Sequence, residues 1–215
     1  MITLLSIQSF EDEMPSPKGY DRKVVLDRAI ELFRRQGYSA TSTAQLVDEL
    51  QINRKSMYAE FGSKQELFEA ALKRYSEVNL SRVLAPIEAP DANAGSIRAA
   101  FLGYASASET RFRGLGCLMA NTAVERAALD RGSAKFVDAY LGRLSKGFRN
   151  AVENAKMEGN ICDNANLDDL TAHFVNSVVG ISALLRAKAS PEQMYAAGRG
   201  ATSMLVERNS SIGKN

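Results

Sequence analysis

Tryptophan is absent from this chain, histidine occurs once (His173), cysteine twice (Cys117 and Cys162) and proline five times in 215 residues. One histidine and two distant cysteines leave almost nothing from which to build a tetrahedral zinc site or a histidine-dependent triad. No glycine loop of the phosphate-cradling kind is present, and no acid, base and nucleophile converge in sequence. No metal, no cofactor and no catalytic residue is therefore expected, and an all-α enzyme is the weaker reading. The longest apolar opening, Met1 to Ile7, is too short to span a bilayer and lacks the basic flank of a secretory signal. No membrane partner is expected, and the cytoplasm is the default location.

What is present is an ordinary globular composition, 45% hydrophobic and 24% charged, which excludes a disordered chain, a collagen and a disulfide scaffold. Charge is informative only when divided. Residues 1–17 hold three acids and no base, residues 18–85 hold 12 Lys/Arg against 9 Asp/Glu, and residues 86–215 hold 15 against 13. Any nucleic-acid contact must come from a small local patch. Met14 is an alternative start, and residues 1–17 and 209–215 read as tails.

The prolines sit at expected edges (Pro15, Pro17, Pro86, Pro90, Pro191), and the stretches between them carry apolar residues three and four apart with no sustained alternation. That pattern predicts an all-α chain. A first helix is expected from about Asp21 to Gln36, closed by Gly37. Ser42 to Gln45 forms a capping box that opens a short helix through Leu50. Asn53 caps a second short helix, Arg54 to Phe61, with Ile52 and Met57 as its hydrophobic staple. Ser63 to Glu66 is a second capping box, opening a helix that runs to about Ala85. Further helices are expected at roughly 95–109, 116–128, 132–158, 167–188 and 191–208. The 167–188 segment is apolar on more than one face, as expected of a helix buried on most sides.

Two short helices joined by a three-residue turn behind a stabilising first helix describe a helix-turn-helix. If Met57 and Phe61 face inward, Lys55, Ser56 and Ala59 face outward, with Arg54, Tyr58 and Glu60 on the flanks. Eight residues span roughly 12 Å, a match to a major groove about 12 Å wide. Lys55 and Ser56, near the helix start, can meet base edges, while Tyr58 and Lys64 lie where a phosphate strand would pass. The same geometry also occurs in bundles that bind nothing, with Arg54 and Lys55 merely solvated.

The stretch from Asp21 to Tyr75 closely resembles the DNA-binding domain of TetR/AcrR-family transcriptional regulators. The resemblance is carried by Gly37-Tyr38, by Thr41-Ser42, and by the unbroken run from Ile52 through Phe68. It implies an Ω-like homodimer whose N-terminal domains read two half-sites of palindromic double-stranded DNA. A larger C-terminal domain would bind a small-molecule effector and dimerise through residues 167–208. By position, Thr43, Tyr58 and Lys64 match phosphate contacts, and Arg54, Lys55 and Ser56 match base readers. The chain departs from the common pattern at Ala59 and Glu60, which puts affinity in question. A basic arm of Lys18, Arg22 and Lys23 is expected to help.

The implied organisation is a helix-turn-helix unit at 18–63, a connecting helix at 64–85 and a ligand-binding and dimerisation part at 86–208. Small residues (Gly180, Ser182, Ala183, Ala197, Gly198, Gly200, Ala201) would let backbones approach at the dimer interface. Phe101, Tyr104, Met119, Phe136, Tyr140, Phe148 and Phe174 are the bulky candidates for a ligand pocket, with plain core as the competing role. Arg111, Arg113, Asn121 and Glu125 are unranked polar handles. Cys117, at the start of an expected helix with Arg111 and Arg113 close by, is read first as a small buried residue; a redox or electrophile-sensing thiol is the alternative. His173 is expected at an interface or on the surface. A repressor released by a small molecule is the favoured reading; a thiol-based sensor and a non-DNA-binding adaptor are the alternatives.

Overall fold

The computed structural model describes residues 20–125 and 131–206, and every regular element among them is helical. The expected tails, Lys18 of the expected arm and the end of the expected 116–128 helix lie outside the described residues.

Local caps set the first helices. In α1 (Arg22–Gln36), Asp21 accepts the Lys23 amide at 2.7 Å, and one stripe, Val25, Leu26, Ala29, Ile30, Leu32 and Phe33, is buried. Gly37 ends it with φ +86°, its amide returning to the Phe33 carbonyl at 2.8 Å. The reciprocal Ser42/Gln45 box opens α2 (Thr43–Leu50). Asn53 opens α3 (Arg54–Phe61) by accepting the Ser56 amide at 2.8 Å, with Ile52 and Met57 both buried beneath it. Ser63 caps α4 (Lys64–Arg74), but its box is only half made. The Ser63 amide donates to the Phe61 carbonyl, so the Glu66 carboxylate takes the Ser63 hydroxyl instead, at 2.8 Å.

The connecting helix is not uniform. A π-helical segment, Tyr75–Leu80, joins α4 to α5 (Ser81–Glu88) without leaving the helical backbone region. The widened turn turns Tyr75 and Leu80 inward. Pro86, expected at an edge, lies inside α5. It removes one amide from the helix, and the tolerance follows from position: Arg82, whose carbonyl loses that partner, and Pro86 are both exposed to water.

The C-terminal part packs α6 (Ala94–Ser106), α7 (Leu118–Glu125), α8 (Arg131–Met157), α9 (Leu167–Arg186) and α10 (Pro191–Thr202), with a short 3₁₀ turn after α6. Its centre is an aromatic trio: Phe101, Phe148 and Phe174, with centroids 5.5 to 6.2 Å apart, all fully buried. α10 is shorter than the expected 191–208. After Thr202 the chain turns so that Leu205 is buried and its carbonyl takes Arg98 at 2.8 Å. The small residues divide between two sides. Ser182, Gly198 and Ala201 are buried, and a Cβ on Gly198 would stand 3.4 Å from the Phe101 carbonyl of α6. Gly180 and Gly200 face open space, and Ala183 is exposed. His173 is half-buried, its ring nitrogen 2.9 Å from the Ala201 carbonyl, and so ties α9 to α10 within the protomer.

Arg34, Arg186 and Glu125 are among the side chains that join the first helices to the C-terminal part. Arg34 of α1 donates twice to the Gly116 carbonyl, at 3.0 and 2.6 Å. Arg186 of α9 donates to the Arg34 carbonyl. Glu125, at the end of α7, accepts the Tyr38 and Ser39 amides at 3.2 and 2.7 Å.

Candidate nucleic-acid interface and internal cavity

Met57 and Phe61, 1% and 6% exposed, pin α3 against the core from behind. The opposite side therefore carries Arg54, Lys55, Tyr58 and Ala59 in the open, with Ser56 half-buried. Tyr58 leans over the start of α2: a side-chain hydrogen bond from Thr43, and then one from Arg54, hold its hydroxyl below the usual tyrosine range. The Arg54 guanidinium lies 5.8 Å from the Tyr58 ring centroid. Thr43, Arg54 and Tyr58 thus form one contiguous polar edge. Lys64 is placed differently, its ammonium 4.1 Å above the ring of Tyr38, which itself packs on Phe68 at 4.9 Å. Sequence reasoning missed Tyr38 in this role, although the Gly37-Tyr38 pair was in view.

Glu60 does not join the outward face. Its side chain, 10% exposed, accepts Arg22 Nε at 3.0 Å and the Tyr20 hydroxyl at 3.3 Å. Arg22, expected in a loose basic arm, is docked there, with its guanidinium 5.3 Å from the Phe61 ring.

A second feature lies between the helices. A cavity of about 400 Å³ opens between the π-helical segment, α5, α6 and the loop before α7. Of the bulky residues expected at a ligand pocket, Tyr104 alone lines it. Phe101, Phe148 and Phe174 form the closed aromatic centre, Met119 and Tyr140 are fully buried, and Phe136 is half-buried under the Lys135 ammonium at 5.0 Å. The wall is instead completed by Arg34 and Tyr75, which sequence reasoning did not single out, and by Cys117. Burial, above all, pushes the hydroxyls of Tyr75, Tyr104 and Tyr140 well up, and the neighbouring Cys117 adds to it. The Tyr104 and Tyr140 hydroxyls have no hydrogen-bond partner. A separate hollow of about 520 Å³ lies between Gln36, α7 and α9, with Asn121, Glu125 and Arg186 on its wall.

Cys117 stands just before α7, where its carbonyl accepts the Asn121 amide and its own amide donates to Ser182 Oγ at 3.0 Å. The thiol residue is 3% exposed. The arginines expected beside it lie elsewhere: Arg111 covers the Phe112 ring at 5.2 Å, and Arg113 donates to the Lys188 carbonyl at 2.7 Å. The cations on the same wall are Arg34 and Arg82. Among the described residues no group of three or more His, Cys, Asp or Glu could hold a metal, and no helix is long and apolar enough to cross a membrane.

Comparison with known proteins agrees with this architecture. Residues 25–71 match the family described as bacterial regulatory proteins, tetR family. The uncharacterised helix-turn-helix-type transcriptional regulator YezE of Bacillus subtilis (strain 168) is 33% identical over 144 residues, covering 67% of this chain and 74% of that protein. The transcriptional repressor ComR of Escherichia coli (strain K12) is 27% identical over 191 residues, covering 88% and 90% of the two chains. Among solved structures, a cysteine mutant of the TetR-family regulator CifR complexed with 26-bp operator DNA superposes with a TM-score of 0.75 at 22% identity, covering 87% of this chain and 98% of that one. The chain belongs to the TetR family of bacterial regulatory proteins.

Proposed function

We propose that this regulator is a repressor that reads a palindromic operator as a homodimer and leaves it when a small molecule fills the cavity beside Arg34. The observation that carries the reading is α3 itself: a helix anchored by Met57 and Phe61, with Arg54, Lys55 and Tyr58 open on its far side and its one acid turned away. Arg54, Lys55 and Ser56 are the base readers, and Thr43, Tyr58 and Lys64 hold phosphates. ComR is named a repressor and CifR was solved on operator DNA, which supports the same role here. Residues 18–63 then form the reading unit, 64–85 the connector and 86–208 the effector-binding and dimerisation part.

One such helix makes too few base contacts for specificity, so a two-fold assembly is required, and its symmetry mirrors the operator. The open sides of α9 and α10, with Gly180, Ala183, exposed Leu184 and Gly200, supply a self-complementary apolar face for it. Two recognition helices about 34–36 Å apart fit successive turns of a duplex. An effector that binds better to another spacing lowers DNA affinity by that difference. The connecting helix, with its π-helical segment bordering the cavity, is the element that both sites share.

Selection of binding sequences from random duplex DNA tests the reading. The expected result is an inverted repeat with half-sites about one turn apart, bound with steep salt dependence. Absence of any enriched sequence, or enrichment of single unpaired half-sites by a stable monomer, would overturn it.

A further inference from the structure

The charges around the 400 Å³ cavity are all of one sign. Arg34 and Arg82 lie on its wall, and among the described residues no aspartate or glutamate does. The Arg34 guanidinium is half-buried and flanked by two aromatic rings, 5.6 Å from the centroids of both Tyr75 and Phe112. Its only acceptor is one neutral carbonyl, that of Gly116; no carboxylate among the described residues pairs with it. A guanidinium has five N–H donors, so most of its donor capacity is unspent, and a half-buried cation without a counter-charge attracts an anion.

A second observation is the wall around it. The Tyr104 ring lies there, with its hydroxyl buried behind it beside Tyr140 and Cys117. Apart from Arg82 and Asn79 the remaining wall is apolar and aromatic, and the volume is in the range of drug-sized ligand sites.

We propose that the cavity takes a small aromatic organic anion, its carboxylate or sulfonate held by Arg34 and its ring body lying against Tyr75 and Phe112. The proposal rests on the reading of this cavity as the effector site and names the effector's chemical class. It also explains how a bound effector reaches the DNA-reading unit directly: Arg34 belongs to α1, and an anion competes with the Gly116 carbonyl for its donors.

Two fluorescent dyes with the same body separate the charge from the cavity: anilinonaphthalenesulfonate and its neutral parent, phenylnaphthylamine. The full-length protein is expected to bind the sulfonate at least about tenfold tighter. Arg34→Gln, checked for native helicity by circular dichroism, should erase that preference while keeping the neutral dye, and Arg34→Lys should retain most of it. A Cβ at Gly103 meets nothing within 4 Å, so Gly103→Leu fills the cavity from α6 and should abolish both. Equal affinity for the two dyes, or a preference that survives Arg34→Gln, overturns the anion class and leaves the cavity as effector site standing. Dyes that still bind the Gly103→Leu protein lie elsewhere, which overturns it as well. Wild-type protein that binds neither dye removes the effector site itself.

Discussion

Arg22 Nε donates to Glu60 Oε1 at 3.0 Å, and this bond turns the one acid of the recognition helix toward the start of α1 instead of toward a phosphate backbone. The departure from the family's common residues at this position is thereby absorbed within the domain.

Glu60→Ala should therefore change operator affinity by no more than about twofold at moderate salt, because the removed charge does not face DNA. Folding stability should fall by roughly 0.2–1 kcal/mol, the usual scale for a partly exposed ion pair. Chemical denaturation and a mobility-shift titration measure the two effects. A gain in affinity of about tenfold would place the carboxylate against phosphates instead.

Lys55 and Lys64 should separate by kind. Lys55→Ala, removing a base reader, is expected to weaken the selected operator by about 1–3 kcal/mol and relax preference at one position of the half-site. Lys64→Ala should weaken all sequences alike and reduce the salt slope by about one. Fluorescence anisotropy over a salt series, with operator and scrambled duplex, distinguishes them. Identical effects on both duplexes for Lys55→Ala would remove it from base reading.

Gly37 joins the two parts of the protein through what it lacks. A Cβ there would stand 2.5 Å from Glu125 Oε2, and its φ of +86° disfavours any side chain. Gly37→Ala should destabilise by about 1–3 kcal/mol, since strain and the displaced carboxylate act together. Glu125→Ala should cost about 1 kcal/mol by leaving the Tyr38 and Ser39 amides to water. Because both changes break one contact, the double variant should lose less than the sum. Strict additivity in urea denaturation would deny the coupling.

Alkaline pH should find the cavity wall. Burial raises the pKa of Tyr75, Tyr104 and Tyr140, so below about pH 10 the folded and unfolded chains hold these protons equally and the contribution to stability is complete. Above that, the unfolded chain releases protons that the folded chain keeps. Stability therefore falls as pH rises toward the folded pKa values, at up to about 1.4 kcal/mol per pH unit for each tyrosine. Tyr58, whose hydroxyl is lowered by Thr43 and Arg54, ionises earlier without that penalty. In a tyrosinate absorbance titration, Tyr58→Phe should remove part of the earliest rise, and the three buried rings should contribute last.

The helices and their ends were legible in the residues, because each depends on neighbours within one turn. Asp21, Ser42, Asn53 and Ser190 cap where their side chains can reach amides two or three residues on, and Gly37 and Gly62 stop helices through their own backbone freedom. The outward set on α3 followed from the same periodicity once Met57 and Phe61 were placed inside. Three features were decided by packing alone. Arg34 reads as one more solvated cation in the last turn of α1, yet it meets a carbonyl 82 residues away and borders a cavity. Gly198 reads as one of several small interface residues, yet the approach of α6 spends it inside the protomer. Glu60 reads as an acid on a DNA-facing helix, and only the docking of α1 beside α3 turns it inward. Caps and stripes are set by bonds along the chain, whereas the partner of a long charged side chain depends on which distant element the assembled core brings within its reach.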